Sequence, residues 1–102
     1  MTSYGSNEIK FRVSFKKSLK RIDKEDQIKI KEFLDKLKNI EDPISHELID
    51  VKKLKKLSGK QDSIYRYRIG QYRIIAEVTN ENHILILLID IFHRQQGYGN
   101  IH

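Results

Sequence analysis

Apolar and polar residues alternate from Ile9 through Phe15, with Ile9, Phe11, Val13 and Phe15 set against Lys10, Arg12 and Ser14. That is the period of a half-buried strand. From Phe15 the period lengthens: Phe15, Leu19 and Ile22 recur at helical spacing and predict a short helix. Ile30, Phe33, Leu34 and Leu37 form one apolar stripe and predict a second. Asp23 stands where a cap for that helix would, and Asp26 adds negative charge to its first turn. Glu25–Lys29 and Glu32–Lys36 are spaced for i,i+4 ion pairs on its wet side, while Ile28 lies off the stripe and has no explanation. Asp42-Pro43 ends helical structure, because a residue before proline avoids the helical region. Residues 41–50 then read as a connection. Val51 to Leu57 fits either a helical turn or an extended segment, and Ser58-Gly59 reads as a turn.

From Ile64 the pattern is that of an antiparallel meander. Strands are expected over Ile64–Ile69, Tyr72–Thr79 and His83–Phe92, with turns at Gly70-Gln71 and Asn80-Glu81-Asn82. The last strand is apolar on nearly both faces, which places it inside the sheet. The expectation is an α+β fold: an N-terminal strand, an α-helical hairpin, then the meander. Residues 1–8 read as a flexible tail and 9–102 as one domain, with no internal repeat.

Composition narrows the chemistry. The chain has 102 residues and no cysteine, so disulfides and thiolate catalysis are excluded. Its four histidines lack ligand spacing, so a structural zinc site is not expected, and the expectation is a chain without metal or cofactor. Ile84 to Phe92 is interrupted by Asp90 and too short to span a bilayer, and residues 1–8 lack the basic-then-apolar order of a signal peptide. A cytoplasmic protein without a membrane partner is the expectation.

Charge changes the picture more. The formal net charge is +6, and it is segregated. Residues 41–50 carry Glu41, Asp42, Glu47 and Asp50 and no Lys or Arg. Residues 51–73 carry Lys52, Lys53, Lys55, Lys56, Lys60, Arg66, Arg68 and Arg73 against Asp62 alone. Such a cluster attracts phosphate or an acidic partner; for the lysine run, a merely solvated surface is an equal reading. Strand alternation puts Arg66 and Arg68 on one face, roughly 7 Å apart. Helices in so short a chain can cover one face of the sheet, so the other would collect Arg66, Arg68, Arg73 and, if the last strand runs on, Arg94. Asp90, a charge in an apolar strand, needs pairing and is expected to serve an arginine.

The segments Val51-Lys52-Lys53-Leu54, Tyr65-Arg66-Tyr67-Arg68-Ile69-Gly70-Gln71-Tyr72-Arg73-Ile74-Ile75 and His93-Arg94-Gln95-Gln96-Gly97-Tyr98 resemble the RelE/ParE superfamily of toxins, closest to its RelE-like branch. The resemblance spans roughly residues 9–98 and includes the order of elements. It implies a RelE-like fold and the toxin of a type II toxin–antitoxin system: a metal-independent endoribonuclease that cuts mRNA on the ribosome. It also implies a cognate, RelB-like antitoxin as partner in a heterocomplex. The family's basic active-site positions fall on Arg66, Arg68 and Arg73, and its C-terminal basic residue and tyrosine on Arg94 and Tyr98. The lysines at 52, 53, 55, 56 and 60 would support RNA binding.

RNA can be cut by its own 2′-hydroxyl, given a proton acceptor, stabilisation of the transition-state charge and a proton donor for the leaving oxygen. Arginine suits the middle task, where one well-placed donor is worth about 3–4 kcal/mol. The best-studied RelE enzymes carry lysines where this chain has Arg66 and Arg68. Arginine cannot act as a base, so the acceptor must be sought at Tyr98, then His93, then Glu77. Two alternatives stay open: a ParE-like inhibitor of DNA gyrase, and an inactive relative that only binds RNA or antitoxin.

Overall fold

A computed structural model describes residues 7–45, 47–51, 64–80 and 83–95. The elements are β1 (Glu8–Phe11), α1 (Val13–Lys20), α2 (Lys24–Asn39), β2 (Ile49–Val51), β3 (Ile64–Ile69), β4 (Tyr72–Asn80) and β5 (Ile84–His93). They form one five-stranded sheet in the order β1-β5-β4-β3-β2. β3, β4 and β5 are the predicted meander, and β5 lies inside the sheet, as its two apolar faces require. β1 pairs parallel to β5, with Ile9 opposite Ile86.

The apolar periodicities meet on one side of the sheet. Ile30 and Leu37 of α2 and Phe15 of α1 are fully buried against Tyr67, Ile74, Ala76, Ile86 and Leu88. Phe33 packs edge-on to Tyr67, with ring centroids 5.6 Å apart. The Tyr67 hydroxyl donates to the Pro43 carbonyl at 2.8 Å, tying the connection after α2 to the core. Burial, then the neighbouring Tyr65 and Asp42, push that phenol far above its ordinary pKa, so it stays a donor.

Several local expectations are revised. The first strand ends at Phe11 rather than Phe15. The Arg12 N–H donates to the Leu88 carbonyl, and the chain then turns into α1, where Phe15 reaches the core from a helix. Asn7 and Glu8 are not tail. Glu8 opens β1, and Asn7 is buried, with its Nδ2 donating to the carbonyls of Leu37 and Ile40 at the end of α2. Asp23 is the N-cap residue of α2, but its carboxylate makes no capping hydrogen bond. Gln27 closes the hairpin instead, donating through Nε2 to the carbonyls of Leu19 and Ile22. Glu25–Lys29 and Glu32–Lys36 do not close to ion-pair distance, as expected where water screens both charges. Ile28 is exposed. The connection over 41–50 holds an unpredicted strand, β2, whose three residues are too few to show a period.

Candidate functional site: an arginine face

Register assigns the side chains to faces. Arg66 lies opposite Ile75, and Arg68 opposite Arg73. Ile75 lies opposite Asp90, and Arg73 opposite Phe92. Cross-strand partners share a face, so Arg66, Arg68 and Arg73 all project from the side turned away from α2. Ile75 fits this placement, being buried yet outside the cluster on the helix side. Tyr65, Tyr67 and Ile69 of the same β3 strand point the other way, into that cluster. The turn that brings β4 back is tight because Gly70 adopts φ +56, the left-handed conformation that suits glycine.

A residue that sequence placed in a connection completes this face. Along β2, Ile49 is opposite Tyr67 and Val51 opposite Arg66, so Asp50 is an extra residue, a β-bulge. Its Oδ2 accepts from Arg66 Nε at 3.1 Å, Arg66 Nη2 at 2.8 Å and Arg73 Nε at 3.0 Å. Arg73 Nη1 is held as well, donating to the carbonyls of Gly70 and Tyr72. Arg68 is exposed and makes no side-chain ion pair among the described residues. Burial pushes the Asp50 carboxyl up, but hydrogen bonds and charge from Arg66 and Arg73 outweigh it and hold the group below the usual carboxylate range. The only signal in sequence was an acid one residue before the basic run. Nothing there marked the bulge that aims it.

The remaining candidates divide. The Arg94 N–H donates to the Gln71 carbonyl at 2.7 Å, extending the β4–β5 ladder to the β3–β4 turn, and its side chain is exposed. His93 is opposite Tyr72, on the helix side, and the two rings meet edge-on at 5.3 Å. It is therefore turned from the arginines and lines a cavity of about 410 Å³ with Ser18, Arg21, Tyr72 and Gln95. The Tyr72 hydroxyl donates to Asp26 at 2.9 Å. Glu77 shares the arginine face, but four residues along β4 put it roughly 13 Å from Arg73 at about 3.3 Å per residue. Asp90 has a structural partner, though not an arginine: it accepts from the Ser18 hydroxyl at 2.7 Å and from the Ile91 N–H. α1 packs alongside β5, which brings Ser18 to the carboxylate. Tyr98 and Lys52, Lys53, Lys55, Lys56 and Lys60 lie outside the described residues.

With α2 packed on one side of the sheet and Arg66, Arg68 and Arg73 projecting from the other, the chain is an α+β domain with a cationic face. Comparison with known proteins gives it a family. Residues 9–98 match the family described as ParE toxin of type II toxin-antitoxin system, parDE. A curated protein of Methanocaldococcus jannaschii named "Putative toxin RelE1" is 34% identical over 84 residues, covering 82% of this chain and 86% of its own. Among solved structures, the archaeal RelE-RelB complex from Pyrococcus horikoshii has a chain 29% identical, with a TM-score of 0.68, covering 87% of this chain and 96% of that one. The RelB-RelE antitoxin-toxin complex from Methanococcus jannaschii gives 26% identity and a TM-score of 0.62, covering 91% and 99%. The chain belongs to the ParE toxin family of type II toxin–antitoxin systems, within the RelE/ParE superfamily. No helix among the described residues is long and apolar enough to cross a membrane.

Proposed function

We propose that this protein is a cytoplasmic, ribosome-dependent mRNA endoribonuclease, held in check by a RelB-like antitoxin. The observation that carries the reading is the convergence of Arg66, Arg68 and Arg73 on one face, two of them immobilised by hydrogen bonds. In this reading the RNA's 2′-hydroxyl attacks the adjacent phosphorus, the bond to the 5′-oxygen breaks, and a cyclic phosphate results. Arg66 and Arg73 stabilise the charge that builds on the non-bridging oxygens. Arg68, exposed and without an ion pair among the described residues, captures the backbone, and Arg94 adds charge from the end of β5. The lysines of residues 52–60 add positive charge that attracts the strand. His93 on the helix side and Glu77 far along β4 are both poorly sited to share a phosphate with Arg73, which leaves Tyr98 as the proton acceptor. An antitoxin segment that covers the arginine face blocks all of these roles at once. The solved relatives, crystallised as RelE-RelB complexes, favour such a partner.

A second reading, a gyrase inhibitor without RNA chemistry, is favoured by one observation: the matching family is described as ParE. Two assays separate the readings. Purified protein added to a translating extract is expected to produce cuts within codons of ribosome-bound mRNA, mapped by primer extension, and to leave gyrase supercoiling unaffected. Loss of supercoiling with intact mRNA would overturn the nuclease reading.

A further inference from the structure

Arg66 and Arg73 both donate to a single oxygen of Asp50, so their nitrogens can be no farther apart than two hydrogen-bond lengths. Two guanidiniums this close repel each other unless a counter-charge lies between them. Asp50 is that charge, and the β2 bulge puts it there. It occupies the Nε edge of each guanidinium. Among the described residues this leaves Arg66 Nη1 and Arg73 Nη2 without a partner, while Arg73 Nη1 is tied to the Gly70 and Tyr72 carbonyls. The two side chains are thus fixed at their inner edges and retain donors at their outer ones. A carboxylate held below its usual range is also a weak base, which speaks against proton transfer as its task.

We propose that Asp50 is a positioning residue, an internal counter-anion that locks Arg66 and Arg73 into one shared geometry so that their outer N–H groups meet a single phosphate of the RNA. The proposal rests on the nuclease reading above and adds a residue to it. It also makes a counter-intuitive claim. Removing Asp50 raises the net positive charge of the face and should tighten binding to RNA, yet it frees the arginines and should slow cleavage.

The test compares wild type with Asp50→Asn on ribosome-bound mRNA and, for binding, on an oligonucleotide with a 2′-deoxy sugar at the cut site. The expected result is a fall in kcat on the order of a hundredfold, the scale of a misplaced catalytic group, with KM unchanged or lower. Binding of the uncleavable strand should become tighter, with a salt slope steeper by about 0.7. Wild-type or faster cleavage by Asp50→Asn overturns the proposal, because Asp50 would then be a competitor of phosphate. A parallel loss of cleavage and binding also overturns it, because Asp50 would then only support the fold. A separate arm does not depend on activity. Arginine Nε–H signals in the NMR spectrum of wild type should include two protected from exchange, both lost in Asp50→Ala with the rest of the spectrum retained; should Asp50→Ala not fold, Asp50→Asn serves for this arm. Two protected signals in the variant overturn the proposal even if wild type cuts no mRNA, an outcome that would by itself defeat only the nuclease reading.

Discussion

Replacing Tyr67 by Phe removes one oxygen from the centre of the molecule and little else. The ring is fully buried and packs edge-on to Phe33, and both features survive the change. What is lost is the 2.8 Å hydrogen bond to the Pro43 carbonyl, leaving a buried acceptor unpaired. The hydrogen bond itself contributes about 1 kcal/mol net, and the stranded carbonyl adds a desolvation penalty, so the total cost is about 2 kcal/mol. For a domain of this size that corresponds to a drop in Tm of roughly 8–16 °C. The effect should reach the arginine face, since Pro43 anchors the connection that delivers β2 and Asp50. Thermal unfolding followed by circular dichroism is the assay, with the same variant scored for protected arginine Nε–H signals. A Tm within about 2 °C of wild type, well below the shift expected for a buried unpaired group, would refute the reasoning.

Three further changes probe other joints. Gly70→Ala should cost roughly 1–2 kcal/mol, the penalty of a left-handed conformation, because a Cβ there meets nothing within 4 Å; denaturant unfolding measures it, and an unchanged midpoint contradicts it. Asn7→Ala should cost about 2–3 kcal/mol by stranding the Leu37 and Ile40 carbonyls, read by the same unfolding experiment. The Asp50 carboxyl lies below its ordinary range when folded. Its contribution is therefore complete above the unfolded carboxylate pKa and is lost as pH falls through the folded value. Stability measured from pH 7 downwards should decline less steeply in Asp50→Asn than in wild type, and identical slopes would count against the ion pairs.

Much of the frame was legible because periodicity carries it. Ile30, Phe33, Leu34 and Leu37 named the buried side of α2, and the alternation of Tyr65, Arg66, Tyr67 and Arg68 separated core from arginine face. The joints were less legible. Phe15 satisfies the strand and helix periods alike, so the pattern alone extends β1 too far; the real boundary is set by where the pairing with β5 ends. Asn7 looks like tail until α2 ends beside it and offers two carbonyls. In the site, the shared face of Arg66, Arg68 and Arg73 followed from alternation, whereas Arg94 falls just past the end of β5. The partner of Arg66 and Arg73 did not, because a bulge of one residue leaves no pattern in sequence. The same limit applies to Asp90, whose expected arginine is a serine supplied by a helix that runs beside its strand.

The central claim is that the arginine face of this sheet cuts RNA, and primer extension on ribosome-bound mRNA with Arg73→Ala addresses it most directly. Wild type should produce discrete cuts within codons. Arg73→Ala should remain folded and bind the ribosome, but lose cleavage by about 10²–10³-fold, the effect of removing one transition-state donor. Wild-type cleavage by the folded variant would contradict the account.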